Sequence, residues 1–192
     1  MIPIAQPLIG ENEKKEVLKV LDSGMLARGE YVNKFEKRFA SFIGCNYGVA
    51  TASGTAALHV SLLAAGISEG DKVLTTSFSF IASSNAILYC GARPVFADIE
   101  ADTFNISAAD IENKLKDNPD IKALLIVHLY GLTCEMDKIM DLVEKYDLIL
   151  IEDCAQAMEP DLMEKMREVL GMYRFLVFTL QKILLPVKVV YY

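Results

Sequence analysis

No stretch of this sequence reaches the roughly 18 uncharged apolar residues that a membrane-spanning helix needs. The first residues, Met1-Ile-Pro-Ile-Ala-Gln-Pro7, lack the basic residues and apolar run of a signal peptide. Basic clusters are also missing. Nineteen Lys and Arg against 26 Asp and Glu leave a net charge of −7, which argues against a nucleic-acid partner. The four cysteines (Cys45, Cys90, Cys134 and Cys154) form no C-x-x-C pair. They read as free thiols of a reducing compartment, so a soluble cytoplasmic protein is expected, with no bound metal. Internal repeats and low-complexity segments are absent, and with 53% apolar and 23% charged residues disorder is excluded for most of the length.

What is present alternates. Residues 10–22 place Val17, Leu18 and Leu21 at helical spacing and stop at Ser23-Gly24. A second amphipathic helix is predicted over 30–43, with Val32, Phe35, Phe39 and Phe42 on one face. Short apolar runs rich in β-branched residues follow at 48–51, 72–76, 94–97, 123–127 and 148–151, separated by helical patterns at 55–66, 79–89, 107–115 and 135–145. Such strands alternating with helices predict an α/β fold, a mostly parallel sheet covered by helices on both faces.

Three strand ends carry candidate chemistry. Ser53-Gly-Thr55 follows a strand and opens a helix, where free N–H groups and the macrodipole suit a phosphate. A simple helix cap is the alternative. Asp153, in Ile151-Glu-Asp-Cys-Ala-Gln-Ala157, lies beyond another strand, where open α/β sheets bind ligands. An N-cap role is its alternative. Thr75-Thr-Ser-Phe-Ser-Phe80 offers an aromatic ring for stacking, or else an ordinary core residue.

In order and spacing these segments resemble the DegT/DnrJ/StrS group of PLP-dependent nucleotide-sugar aminotransferases. The resemblance runs over residues 2–157 and includes Ile2-Pro-Ile4, Asp22-Ser-Gly24, Val32-Asn-Lys-Phe-Glu36, Ser53-Gly-Thr-Ala-Ala-Leu58, Gly91-Ala-Arg-Pro-Val-Phe-Ala-Asp98, Val127-His-Leu-Tyr-Gly131 and Ile151-Glu-Asp-Cys-Ala-Gln-Ala157. It implies the N-terminal part of the large domain of a fold type I enzyme, pyridoxal 5'-phosphate as cofactor, and a homodimer. It also implies amino transfer from glutamate to a keto nucleotide sugar in polysaccharide biosynthesis. By the same resemblance Ser53, Gly54 and Thr55 match the phosphate cup, and Phe80 the ring that stacks on the pyridine. Asp153 matches the partner of the pyridinium nitrogen, and Gln156 a side chain near the phenolic oxygen. His128 reads as structural. Ser23-Gly-Met-Leu-Ala-Arg-Gly29 resembles the substrate-side loop but lacks its aromatic residue and its Gly-Pro.

The resemblance stops at Ala157. Family members continue His-Gly-Ala, a glycine-rich stretch, then Ser-Phe and the lysine that forms the Schiff base with PLP. None of Lys165, Lys182 and Lys188 stands in that context. Residues 158–192 hold four of the eight methionines and one of the eleven glycines. Read in a shifted frame with suitable synonymous codons, this tail becomes His-Gly-Ala, glycine-rich segments, Ser-Phe and Thr-Lys-Asn. The division expected is therefore an incomplete PLP-binding domain over 1–157 and an out-of-frame tail over 158–192, with apolar sheet edges left uncovered. The alternatives are an inactive remnant that binds PLP or a partner weakly, or a relative of the PLP-dependent nucleotide-sugar dehydratases.

Overall fold

The computed structural model describes residues 9–157, 174–178 and 188–191. Helix α1 (Glu11–Ser23) opens on a reciprocal cap, the Gly10 N–H donating to the Glu13 carboxylate at 2.7 Å, and ends at Gly24 with φ +68°. Helix α2 (Glu30–Ile43) leads into strand β1 (Tyr47–Ala50). Then follow α3 (Gly54–Ala64), β2 (Lys72–Thr76), α4 (Ala82–Tyr89), β3 (Arg93–Ala97), α5 (Ala108–Asp117), β4 (Ile121–Val127), α6 (Met136–Lys145), β5 (Ile149–Asp153), β6 (Arg174–Phe178) and β7 (Lys188–Tyr191). Every strand and helix expected between residues 10 and 151 is present, with boundaries moved by at most a few residues; residues 158–170, whose pattern would also allow a polar helix, lie outside the described residues.

The sheet order is β1-β7-β6-β5-β4-β2-β3. Strands β3, β2, β4, β5 and β6 run parallel, and β7 is antiparallel to both its neighbours. Successive side chains of a strand point to opposite faces, and both faces are covered. Val73, Leu125 and Ile151 pack against Leu58 and Leu62 of α3 and Ala86 of α4. Leu74, Leu124 and Leu150 pack against Ile111 of α5 and Ile139 and Leu142 of α6. This two-sided burial is why β4 reads as a nearly unbroken apolar run rather than an alternating one.

Three details differ from the sequence expectation. In α2 the buried face is Glu36, Phe39, Ala40 and Ile43, whereas Phe42 stays 53% exposed, its ring 6.2 Å from that of Phe39 between centroids. The hydrophobic stripe is thus rotated, because a carboxylate takes a place on the inner face. In α1 no residue is buried, and Val17, Leu18 and Leu21 remain open to solvent. Thirdly, the tail was expected to leave the sheet short. Instead β6 pairs with β5, and β7 fills the place between β6 and β1, with Val177 fully buried. An apolar run rich in aromatic residues such as Phe175-Leu-Val-Phe178 meets the requirements of an interior strand whatever its origin. Among the described residues no helix is long and apolar enough to cross a membrane.

Candidate functional site

Each crossover helix starts at the carboxyl end of a strand, so loops, helix N-termini and strand-end side chains gather along one rim of the sheet. Ser53 is the N-cap of α3 and its Oγ accepts the Ala56 N–H at 3.1 Å. Ala57 N–H bonds back to the Ser53 carbonyl. Gly54 and Thr55 are therefore the first two positions of the helix, whose N–H groups have no carbonyl one turn earlier to meet. Helix α3 packs against β6 and β7 and, to a smaller extent, β5. The cap reading of Ser53 is realised, and it leaves the two outermost donors for an anion.

Asp153 ends β5 and is only 6% exposed. Its Oδ1 accepts the Ala155 N–H at 3.0 Å, and its Oδ2 is reached by the Ser83 hydroxyl at 3.4 Å. Burial pushes this carboxyl above its ordinary value; the Ala155 N–H, the Ser83 hydroxyl and His128 oppose the rise. A buried carboxylate whose donors among the described residues, the Ala155 N–H and the Ser83 hydroxyl, are neutral can accept a further charged N–H. The donor set therefore fits the protonated ring nitrogen of a pyridine. One consequence concerns stability. A carboxyl raised in the fold holds its proton more tightly folded than unfolded, so stability is full below the ordinary carboxylate range and falls as pH climbs to the raised value. Asp153→Asn removes that loss and is expected to melt a few degrees above the parent at pH about 7, the gap closing near pH about 3. Melting curves at the two pH values check this; a variant that melts lower at neutral pH contradicts it.

Phe80 sits in the loop between β2 and α4 and is 69% exposed. Its carbonyl accepts the Ser83 N–H at 3.1 Å, so the segment bearing Phe80 and the hydroxyl touching Asp153 are tied to the same residue. Phe78, by contrast, rests against Phe104 at 6.0 Å between centroids. Gln156 lies three residues beyond Asp153, and its Oε1 accepts the Tyr130 N–H at 2.8 Å. Tyr130 itself has φ +55°, an unusual conformation for a non-glycine residue.

Sequence reasoning missed Ser83, Glu152 and Thr75 on this rim, whereas its structural reading of His128 holds. Ser83 gave no signal, since nothing in its spacing links α4 to β5. Glu152 and His128 form a buried pair, Nε2 to Oε2 at 3.0 Å, while Nδ1 accepts the Cys134 N–H at 3.2 Å. That second bond fixes the tautomer with its proton on Nε2, a structural use of histidine. Cys134, beside this pair, is pushed up to about 12 by burial and then by Glu152. The third is Thr75, whose buried hydroxyl has no hydrogen-bond partner among the described residues. Two surface clefts, of about 200 and 740 Å³, lie not at Asp153 but beside α2 and β1.

A family model described as the DegT/DnrJ/EryC1/StrS aminotransferase family matches residues 7–183. GDP-perosamine synthase of Escherichia coli O157:H7 is 44% identical over 157 residues, 81% of this chain and 43% of that protein. GDP-perosamine synthase of Vibrio cholerae is 40% identical over 158 residues, 82% of this chain and 42% of that protein. Among solved structures, NtdA of Bacillus subtilis with bound cofactor PMP superimposes with a TM-score of 0.82 at 31% identity. That superposition covers 95% of this chain and 42% of NtdA. The chain thus spans less than half the length of these three relatives.

Proposed function

Because the chain belongs to the DegT/DnrJ/EryC1/StrS aminotransferase family, whose cofactor is pyridoxal 5'-phosphate, we propose that residues 9–157 are the cofactor-binding part of an enzyme that moves an amino group from glutamate onto a keto nucleotide sugar. The observation that carries this is the buried Asp153 carboxylate at the end of β5, surrounded by neutral donors. When bound, PLP supplies an electron sink for the carbanion formed at the amino carbon. The chain's own residues have simpler tasks. Gly54 and Thr55 offer N–H groups to the phosphate, and Phe80 offers a face for the ring. Asp153 Oδ holds a proton on the ring nitrogen, and Gln156 orients the ring from its phenolic side. The names of the perosamine synthases support a sugar nucleotide as acceptor.

The 192-residue chain is, in the same reading, an inactive form of that enzyme. On this proposal its tail from Met158 is out of frame, and the codon of the family's lysine would span those of Gln181 and Lys182 without being translated. PLP is then held only by the phosphate and ring contacts, and reversibly. Ser53→Asp tests the cup. Aspartate caps a helix as well as serine does, yet it sets a negative charge where the phosphate would lie. Its expected effect is a loss of PLP affinity of about tenfold or more, with pyridoxal, which has no phosphate, bound as before. Equilibrium dialysis of both ligands reads this, and equal losses for the two contradict it.

A further inference from the structure

We infer that Glu36 is a positioning residue that fixes the launching point of the phosphate-binding turn; this rests on the reading of Ser53–Thr55 as that turn. Glu36 lies on the inner face of α2 and is 8% exposed. Its Oε1 accepts the backbone N–H of Ala50 at 2.9 Å, and its Oε2 the Arg28 guanidinium at 3.1 Å. Ala50 is the last residue of β1, the outermost strand at that end of the sheet. An outer strand has no neighbour to receive such an N–H group, and here a buried carboxylate takes the neighbour's place.

The anchor is placed where it matters. From Ala50 the chain needs only Thr51, Ala52 and Ser53 to reach the first turn of α3, and the Thr51 hydroxyl donates to the Ser53 carbonyl at 3.0 Å within that step. A shift at Ala50 would pass directly to the Gly54 and Thr55 N–H groups. The backing is equally tight. A Cβ on Gly48 would approach the Glu36 carbonyl oxygen to 2.8 Å, so β1 and α2 touch backbone to backbone two residues before the anchor. The smaller cleft is lined by Arg28, Glu36, Ala50, Thr51 and Ala52, the anchor together with the segment it holds. Arg28 is 71% exposed along its side chain, so the ion pair adds little by itself; its use is to keep the second carboxylate oxygen occupied and the first one aimed at Ala50. A charge-assisted bond to a backbone N–H is strong and directional, which suits a part whose task is to hold a position.

The test compares binding of PLP and of pyridoxal to the 192-residue chain by equilibrium dialysis, in the parent, Glu36→Gln, Glu36→Asp and Ser53→Asp. The ratio of the two affinities reads the phosphate contacts alone, which a general loosening of the fold would not move selectively. Glu36→Gln is expected to lower the ratio about tenfold with pyridoxal binding unchanged. Glu36→Asp keeps the charge and falls one methylene short, so an intermediate ratio is expected, and it serves if the glutamine variant fails to fold. A parent-like ratio in Glu36→Asp or in folded Glu36→Gln, with Ser53→Asp lowering it, overturns the role of Glu36 and leaves the cup in place. A parent with no preference for PLP, or one that Ser53→Asp leaves unchanged, overturns the cup and this role with it.

Discussion

With the reading frame restored beyond Ala157, Asp153→Ala should lower amino transfer from glutamate by about 10²–10³-fold, the scale of losing one preorganised electrostatic contact to a reacting group. The carboxylate is buried, and it hydrogen-bonds to Ala155 N–H and Ser83 Oγ, so it is fixed before any ligand arrives. An alanine leaves the ring nitrogen with no acceptor for its proton, and a neutral pyridine is a poor electron sink. The loss should not come from unfolding, since burying that charge costs the fold stability at neutral pH. Phe80→Tyr in the same protein keeps an aromatic face and should cost far less. Steady-state rates with glutamate and a keto nucleotide sugar measure both. Parent-like turnover in Asp153→Ala, with PLP still bound, would mean the role was assigned to the wrong carboxylate.

The 192-residue chain as it stands should transfer no amino group, and borohydride should fix no PLP to any of its lysines. Its tail lysines, Lys165, Lys182 and Lys188, follow no Ser-Phe segment, and Lys188 is a register partner of Ala50 and of Phe178 in the sheet. Peptide mapping after reduction settles the matter. A PLP-modified lysine recovered from the parent, and absent after competition with excess pyridoxal phosphate analogues, would contradict the reading of the tail.

Much of this molecule was legible beforehand because its signals are local. β-Branched apolar runs such as Ala123-Leu-Leu-Ile-Val127 specify interior parallel strands, and Ser53-Gly-Thr55 specifies a helix start. The missed features are contacts between distant positions. Ser83 meets Asp153 across 70 residues, and Glu36 meets Ala50 across 14. No periodicity encodes such pairings. Phe42 misled for a related reason: helical spacing puts it with Phe35 and Phe39, but the face that β1 covers is chosen by Glu36 and Gly48. The apolar tail was not legible as an interior strand. Its place beside β5 depends on the whole sheet order.

A crystal structure of the 192-residue chain grown with PLP tests the cofactor reading most directly. The account predicts the phosphate on the N–H groups of Gly54 and Thr55 and the ring nitrogen within hydrogen-bond distance of Asp153, with no covalent bond to lysine. PLP bound elsewhere, such as in the cleft beside α2, or with its ring nitrogen turned away from Asp153, would contradict it.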